Sequence, residues 1–129
     1  MIAINNIKDT GFMTYNGLYI VESRDNYIKI GVDITDKSLN PYRVVHGGLI
    51  YTLADSAMGI VLAAAVKNGV TLNCNIEYLS PGTGKKLFAD TEIIKIGKTI
   101  AVVKSNVINE ENKLIAIATG TYFIKNKEW

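Results

Sequence analysis

One stretch of this chain limits its possible folds more than any other. From Gly48 to Val66 the residues are nearly all apolar, and a single carboxylate, Asp55, stands near the middle. The run is close to membrane-spanning length. Asp55 argues against a span, because a carboxylate at mid-bilayer costs roughly 2.5–3.5 kcal/mol even on lenient insertion scales. Thr52 and Ser56 add polarity, and only Arg43 closely precedes the run as a basic anchor. A helix that is hydrophobic all round is equally at home inside a globular protein. The expectation is a buried helix and no membrane partner.

The surrounding residues supply strands to cover it. Leu18–Val21 and Tyr27–Ile34 have strand character, with Ile28, Ile30, Val32 and Ile34 near period-two alternation. Residues 1–17 read as an irregular lead-in that ends on the turn signal Asn16-Gly17, and Ser38–Pro41 breaks the strand pattern. The helix is expected to stop near Asn68-Gly69. Beyond it, Val70, Leu72, Cys74, Ile76 and Tyr78 alternate with Thr71, Asn73, Asn75 and Glu77. Three more β segments, 86–96, 99–108 and 113–124, follow with short connections that imply antiparallel neighbours. The class is α+β, one domain over 1–129, with a long central helix wrapped by an antiparallel sheet. A helical wheel places Leu49, Leu53, Ala57, Ile60 and Ala64 on the face the sheet should cover.

Few groups are available for chemistry. Fourteen Lys and Arg against twelve Asp and Glu leave a net charge of +2, too weak a field to make nucleic acid the main partner. One Cys excludes a disulfide within the chain and any multi-Cys zinc site, and one His excludes multi-His metal sites. Met1–Asn6 has neither the basic n-region nor the apolar h-region of a secretory signal, so the cytoplasm is expected.

Asp55 lies off the core stripe, with Tyr51, Leu62 and Val66 as its angular neighbours. A bland account has it satisfied by a local hydroxyl or set on a wetter face. The small residues Thr52, Ser56, Gly59 and Ala63 beside it favour close approach of another backbone or a ligand. Just before the helix stands His46-Gly47-Gly48. A glycine-rich helix start presents unsatisfied N–H donors backed by the helix dipole, able to stabilise an oxyanion. The plainer account is a glycine-rich turn with His46 as a cap. His46 and Asp55 are 55 − 46 = 9 positions apart, which is about 13 Å along a helix. A carbonyl-binding terminus and an attacking or activating carboxylate must sit much closer than that. If both act, Asp55 must serve the helix start of a second subunit.

Asn40, His46-Gly47-Gly48, Leu53-Ala54-Asp55, then Asn75–Pro81 and Gly97-Lys98-Thr99 together resemble the hotdog-fold thioesterases of the PaaI-like, phenylacetic-acid-degradation type. The similarity runs from about Gly17 to Phe123. It implies an acyl-coenzyme A substrate hydrolysed to a carboxylic acid and free coenzyme A, with no cofactor or metal, in a homodimer or homotetramer. The resemblance makes the Gly47 amide the group that polarises the carbonyl and has His46 and Asn40 position the substrate. The partner's Asp55 becomes general base or nucleophile. Thr71 falls where some members carry a water-orienting hydroxyl. Gly48, Tyr78, Ser80, Pro81, Lys95, Lys98 and Thr99 match segments that line the substrate path. For the exposed lysines a solvated surface role is about as well supported.

The chain departs from that pattern in two places. Pro41–Val45 replaces a glycine-containing link, bringing Arg43 near the site to reshape the entrance or bind phosphate, and Lys85-Lys86 replaces a common Gly-Asp pair. Cys74 with His46 as base is a rival nucleophile, but its place on the apolar side of a strand reads as core. Trp129 is either frayed or a packing anchor. Two rival functions remain: a regulatory acyl-coenzyme A-binding module without turnover, and an acyl-thioester dehydratase. The Asn40, His46 and Asp55 set argues against the first, and a His-Gly-Gly helix start with Asp on the same helix argues against the second.

Overall fold

The computed structural model of the chain describes residues 11–66 and 68–125. Trp129 and the first ten residues of the lead-in lie outside them. Within the described part of the lead-in, Phe12–Tyr15 forms a short helix, α1, where an irregular segment was expected, and Gly17 then turns the chain at φ 77°. Six strands follow: β1 (Leu18–Arg24), β2 (Tyr27–Asp33), β3 (Asn68–Tyr78), β4 (Lys86–Ile96), β5 (Ile100–Asn109) and β6 (Leu114–Lys125). The long helix α2 (Gly47–Ala65) enters between β2 and β3.

All pairings are antiparallel, and the strand order is β1-β2-β4-β5-β6-β3. Alternation places Ile28, Ile30 and Val32 of β2, Leu87 and Ala89 of β4, and Ala101, Val103 and Val107 of β5 in the core. α2 packs across β2 to β6 and buries Ile50, Leu53, Ala54, Ala57, Met58, Ile60, Val61 and Leu62 against them. The sheet wraps the helix, as expected. The helix is long and apolar enough to cross a membrane, but its apolar face packs on this core. Two hydroxyls caught under it, Thr91 and Ser105, bond to each other at 2.8 Å, so the desolvated pair is satisfied.

Two local expectations need correction. The covered helix face is centred on Ile50, Leu53, Ala54, Ala57, Met58 and Val61, while Leu49 and Ala64 sit at its margins. The stripe is rotated because alanine, with little bulk, marks where sheet and helix approach closely. The helix also ends earlier, at Ala65. Val66 is already extended, at φ −130° and ψ 159°, and Asn68 and Gly69 belong to β3. Gly69 is there for space: a Cβ on it would meet Leu62 Cδ2 at 2.7 Å.

Candidate active site

The start of α2 is assembled by the loop before it. Asn40 Oδ1 accepts from the backbone N–H groups of Tyr42 (2.9 Å) and Val44 (3.3 Å), and Val44 C=O accepts from Asn40 N–H at 2.8 Å. Arg43 takes φ 65° in this tight turn. Its guanidinium pairs at 3.5 Å with Asp36, both side chains well exposed, so the contact contributes little. Arg43 lines neither cavity at the helix start. Val45 N–H donates to Gly82 C=O (2.9 Å) and His46 N–H to Ser38 C=O (2.8 Å), which docks the turn on the core.

His46 is the N-cap. Its Nδ1 accepts from Gly48 N–H at 2.8 Å, so a neutral ring carries its proton on Nε2 and presents a donor there. The ring folds tightly over Gly48, where a Cβ would lie 3.0 Å from Nδ1. Leu49 N–H is satisfied by His46 C=O at 2.9 Å. Among the described residues, Gly47 N–H has no acceptor. Its carbonyl accepts from the Tyr78 hydroxyl at 2.8 Å, which locks the end of β3 to the helix start.

Gly47, Asn40, Tyr78, Ser80 and Pro81 line one open cavity of about 350 Å³. His46 and Gly48 line a second, of about 630 Å³, with Tyr19, Lys37 and Thr52. The helix terminus thus separates two hollows, and the expected substrate-facing residues divide between them.

Asp55 belongs to neither. It is partly buried, and its Oδ1 accepts from Thr71 Oγ1 at 3.0 Å and from the Tyr122 hydroxyl at 3.0 Å. The carboxylate is therefore held by hydroxyls, and among the described residues nothing donates to Oδ2. Thr71 reaches it because β3 carries a bulge. Thr71 pairs with Tyr122 and Asn73 with Thr121, leaving Leu72 unmatched. The extra residue switches the alternation. Thr71 comes to the same side as Cys74 and Ile76, while Leu72 is 57% exposed rather than aligned with them. Tyr122, on β6, was not singled out from the sequence. The available signal is Gly120 two residues earlier on the same face, where a Cβ would meet the Tyr122 ring at 2.7 Å. Burial first, then the Asp55 charge, pushes the Tyr122 phenol far up, so it remains a donor.

Cys74 is partly buried beside Tyr51, whose phenol the neighbouring thiol and burial push up to about 12. Burial raises the Cys74 thiol, which keeps it protonated and unreactive at neutral pH. Cys74→Ala is expected to retain kcat within about twofold, since a thiol without thiolate character is no nucleophile. Steady-state turnover checks this, and a collapse of kcat with the fold intact would restore the cysteine mechanism.

The remaining expected residues lie elsewhere. Lys95, Lys98 and Thr99 are exposed around the β4–β5 turn. Thr99 C=O accepts from Ile124 N–H at 2.8 Å, and Ala101 pairs with Tyr122. That turn is thus near the Asp55 end of the sheet and away from the Asn40 cavity. Gly47 and Asp55 themselves are eight positions apart on one continuous helix, about 12 Å along its axis. Within one chain the candidates form two groups. Among the described residues, no three His, Cys, Asp or Glu side chains cluster to hold a metal ion.

Residues 42–116 match the profile of the thioesterase superfamily. A putative esterase of Archaeoglobus fulgidus is 32% identical over 111 residues, covering 85% of this chain and 72% of that protein. The acyl-coenzyme A thioesterase PaaI of Escherichia coli K12 is 27% identical over 105 residues, covering 81% of this chain and 75% of that one. The solved structure of E. coli PaaI superposes with a TM-score of 0.84 at 23% identity, covering 88% and 83% of the two chains. The protein smu.793 of Streptococcus mutans UA159, solved bound to acetyl-coenzyme A, superposes with a TM-score of 0.84 at 30% identity over 96% and 97%.

Proposed function

We propose that this chain, which belongs to the thioesterase superfamily as a PaaI-like hotdog enzyme, hydrolyses an acyl-coenzyme A thioester at a site shared between two subunits. The observation that carries this reading is the Gly47 N–H: a helix-start donor without an acceptor among the described residues, in a cavity with Asn40 and Tyr78, on the same helix as a carboxylate too far away to serve it. Relatives named as acyl-coenzyme A thioesterases and a neighbour solved with acetyl-coenzyme A support the substrate class.

In this account the thioester carbonyl oxygen accepts from Gly47 N–H, whose dipole-backed position stabilises the charge that develops on attack. His46 Nε2–H and the Asn40 amide orient the thioester. Asp55 of a second subunit removes a proton from water, whose oxygen bonds to the carbonyl carbon, or attacks that carbon itself. Collapse breaks the C–S bond and the thiolate of coenzyme A leaves. On the water route it takes up the proton held by Asp55. On the nucleophile route it leaves a mixed anhydride on Asp55, which water then hydrolyses to release the acid, restore the carboxylate and supply the thiolate's proton. Ser80 and Pro81, in the Gly47 cavity, and the Lys95–Thr99 turn of the subunit that supplies Asp55 flank the path of the longer coenzyme A arm.

The edge of the sheet offers the second subunit a seat. β3 is an edge strand whose far side pairs with no other strand among the described residues, and Leu72, Tyr78 and Leu79 are 57%, 51% and 53% exposed along or just past it. An open apolar edge invites pairing. An antiparallel copy would carry its own Asp55 and Thr71 toward this chain's Gly47.

A panel of short, medium, long and aromatic acyl-coenzyme A substrates, followed by release of free thiol, tests the activity. Cleavage of at least one member is expected. Binding across the panel with no thiol released would overturn the hydrolase reading in favour of a binding module.

A further inference from the structure

We propose that Tyr122 is a positioning residue for the Asp55 carboxylate: seated over Gly120, its hydroxyl joins that of Thr71 on Oδ1 and leaves Oδ2 as the oxygen that meets water or the thioester. The inference rests on the reading of Asp55 as base or nucleophile and adds which oxygen reacts and what holds it.

Three elements converge on one atom. Asp55 comes from α2, Thr71 from β3 and Tyr122 from β6, and the last two are direct register partners in the sheet. Both hydroxyls lie 3.0 Å from Oδ1, and the Tyr122 hydroxyl is also 3.4 Å from the Asp55 carbonyl oxygen. Rotation about the terminal bond of an aspartate is broad and roughly two-fold. Charge-assisted donors from two strands restrict it. A carboxylate has about four lone-pair sites, and two of the four on one oxygen are taken, so basicity toward a third party concentrates on Oδ2.

Tyr122 suits this task better than a surface hydroxyl would. Its side chain is 1% exposed, so its donor does not exchange partners with water. Its place depends on Gly120, where an added Cβ would strike the ring at 2.7 Å and Met58 Cε at 3.2 Å. Gly120 is itself buried. The chain thus leaves a side chain out of a packed strand at the one position where the tyrosine ring needs the room.

Tyr122→Phe removes the hydroxyl and keeps the ring. With the acyl-coenzyme A that turns over fastest, kcat is expected to fall about tenfold, the loss of one charge-assisted hydrogen bond, with KM unchanged. In an Asp55→Ala background the same change is expected to leave residual turnover unaltered, because the group being positioned is gone. A merely structural tyrosine would depress both backgrounds alike, and that result would overturn the proposal. So would a Tyr122→Phe enzyme with normal kcat beside an inactive Asp55→Ala enzyme. Normal turnover in Asp55→Ala itself would instead overturn the role of Asp55, and the positioning role with it.

Discussion

Asp55→Asn is expected to lower kcat by roughly 10²–10⁴-fold, the range for losing a positioned general base, with little change in acyl-coenzyme A binding or thermal stability. The amide is isosteric and still offers an oxygen to Thr71 and Tyr122, which both bond the carboxylate at 3.0 Å. Asp55→Ala should lose as much turnover. It also leaves the buried Tyr122 hydroxyl with a poorer set of acceptors, at about 1–3 kcal/mol for an unsatisfied buried group. The pair separates chemistry from folding: Asn removes the base alone, Ala removes base and acceptor together. Steady-state kinetics and thermal melts of both variants read the difference. Near-normal kcat in both would sink the mechanism.

Gly47→Pro is the corresponding change at the other half of the site. Proline deletes the N–H that has no acceptor among the described residues. It is also well tolerated at the first position of a helix, where that N–H makes no intrahelical bond. The local backbone suits it. His46, the preceding residue, sits at φ −59° and ψ 132°, the extended region that a residue before proline prefers. A Cβ on Gly47 would meet the Tyr78 ring at 3.4 Å, an ordinary contact. The expected loss in kcat is roughly 10²–10³-fold, that of one oxyanion donor, with the fold retained. Gly47→Ala keeps the N–H and serves as the control, expected to stay much closer to the parent. Equal activity in the Pro and Ala variants would remove Gly47 from the chemistry.

Much of this architecture was legible in the residues. β2 announces itself through Ile28, Ile30 and Val32, all of which point into the core. The long apolar run has only one way to be covered in a chain otherwise made of strands. His46 as a cap and Gly47 as a free donor follow from a glycine-rich helix start, because the first N–H groups of any helix lack intrahelical partners. The failures have physical causes too. Counting alternation along 70–78 cannot see a bulge, and the bulge at Leu72 is what carries Thr71 to Asp55. The Asn68-Gly69 pair looks like a helix stop, yet Gly69 is small to admit Leu62. Tyr122 is 67 positions from Asp55, and only the packing of α2 across the sheet brings such a pair together. A wheel likewise shows Asp55 without partners, because both of its hydroxyl donors arrive from the sheet.

In the proposed account, each chain, with one histidine and one carboxylate on its long helix, supplies one half of each of two sites. Pairing two inactive variants tests this most directly. Asp55→Ala and Gly47→Pro are each expected to be nearly inactive alone. Co-expressed and randomly assorted, half the dimers are mixed, and each mixed dimer holds one intact Gly47 facing one intact Asp55. Turnover should then recover to about a quarter of the parent value, as a two-fold shared site requires. Verified mixed dimers with no activity above the separate variants would contradict the shared site and return both halves to a single chain.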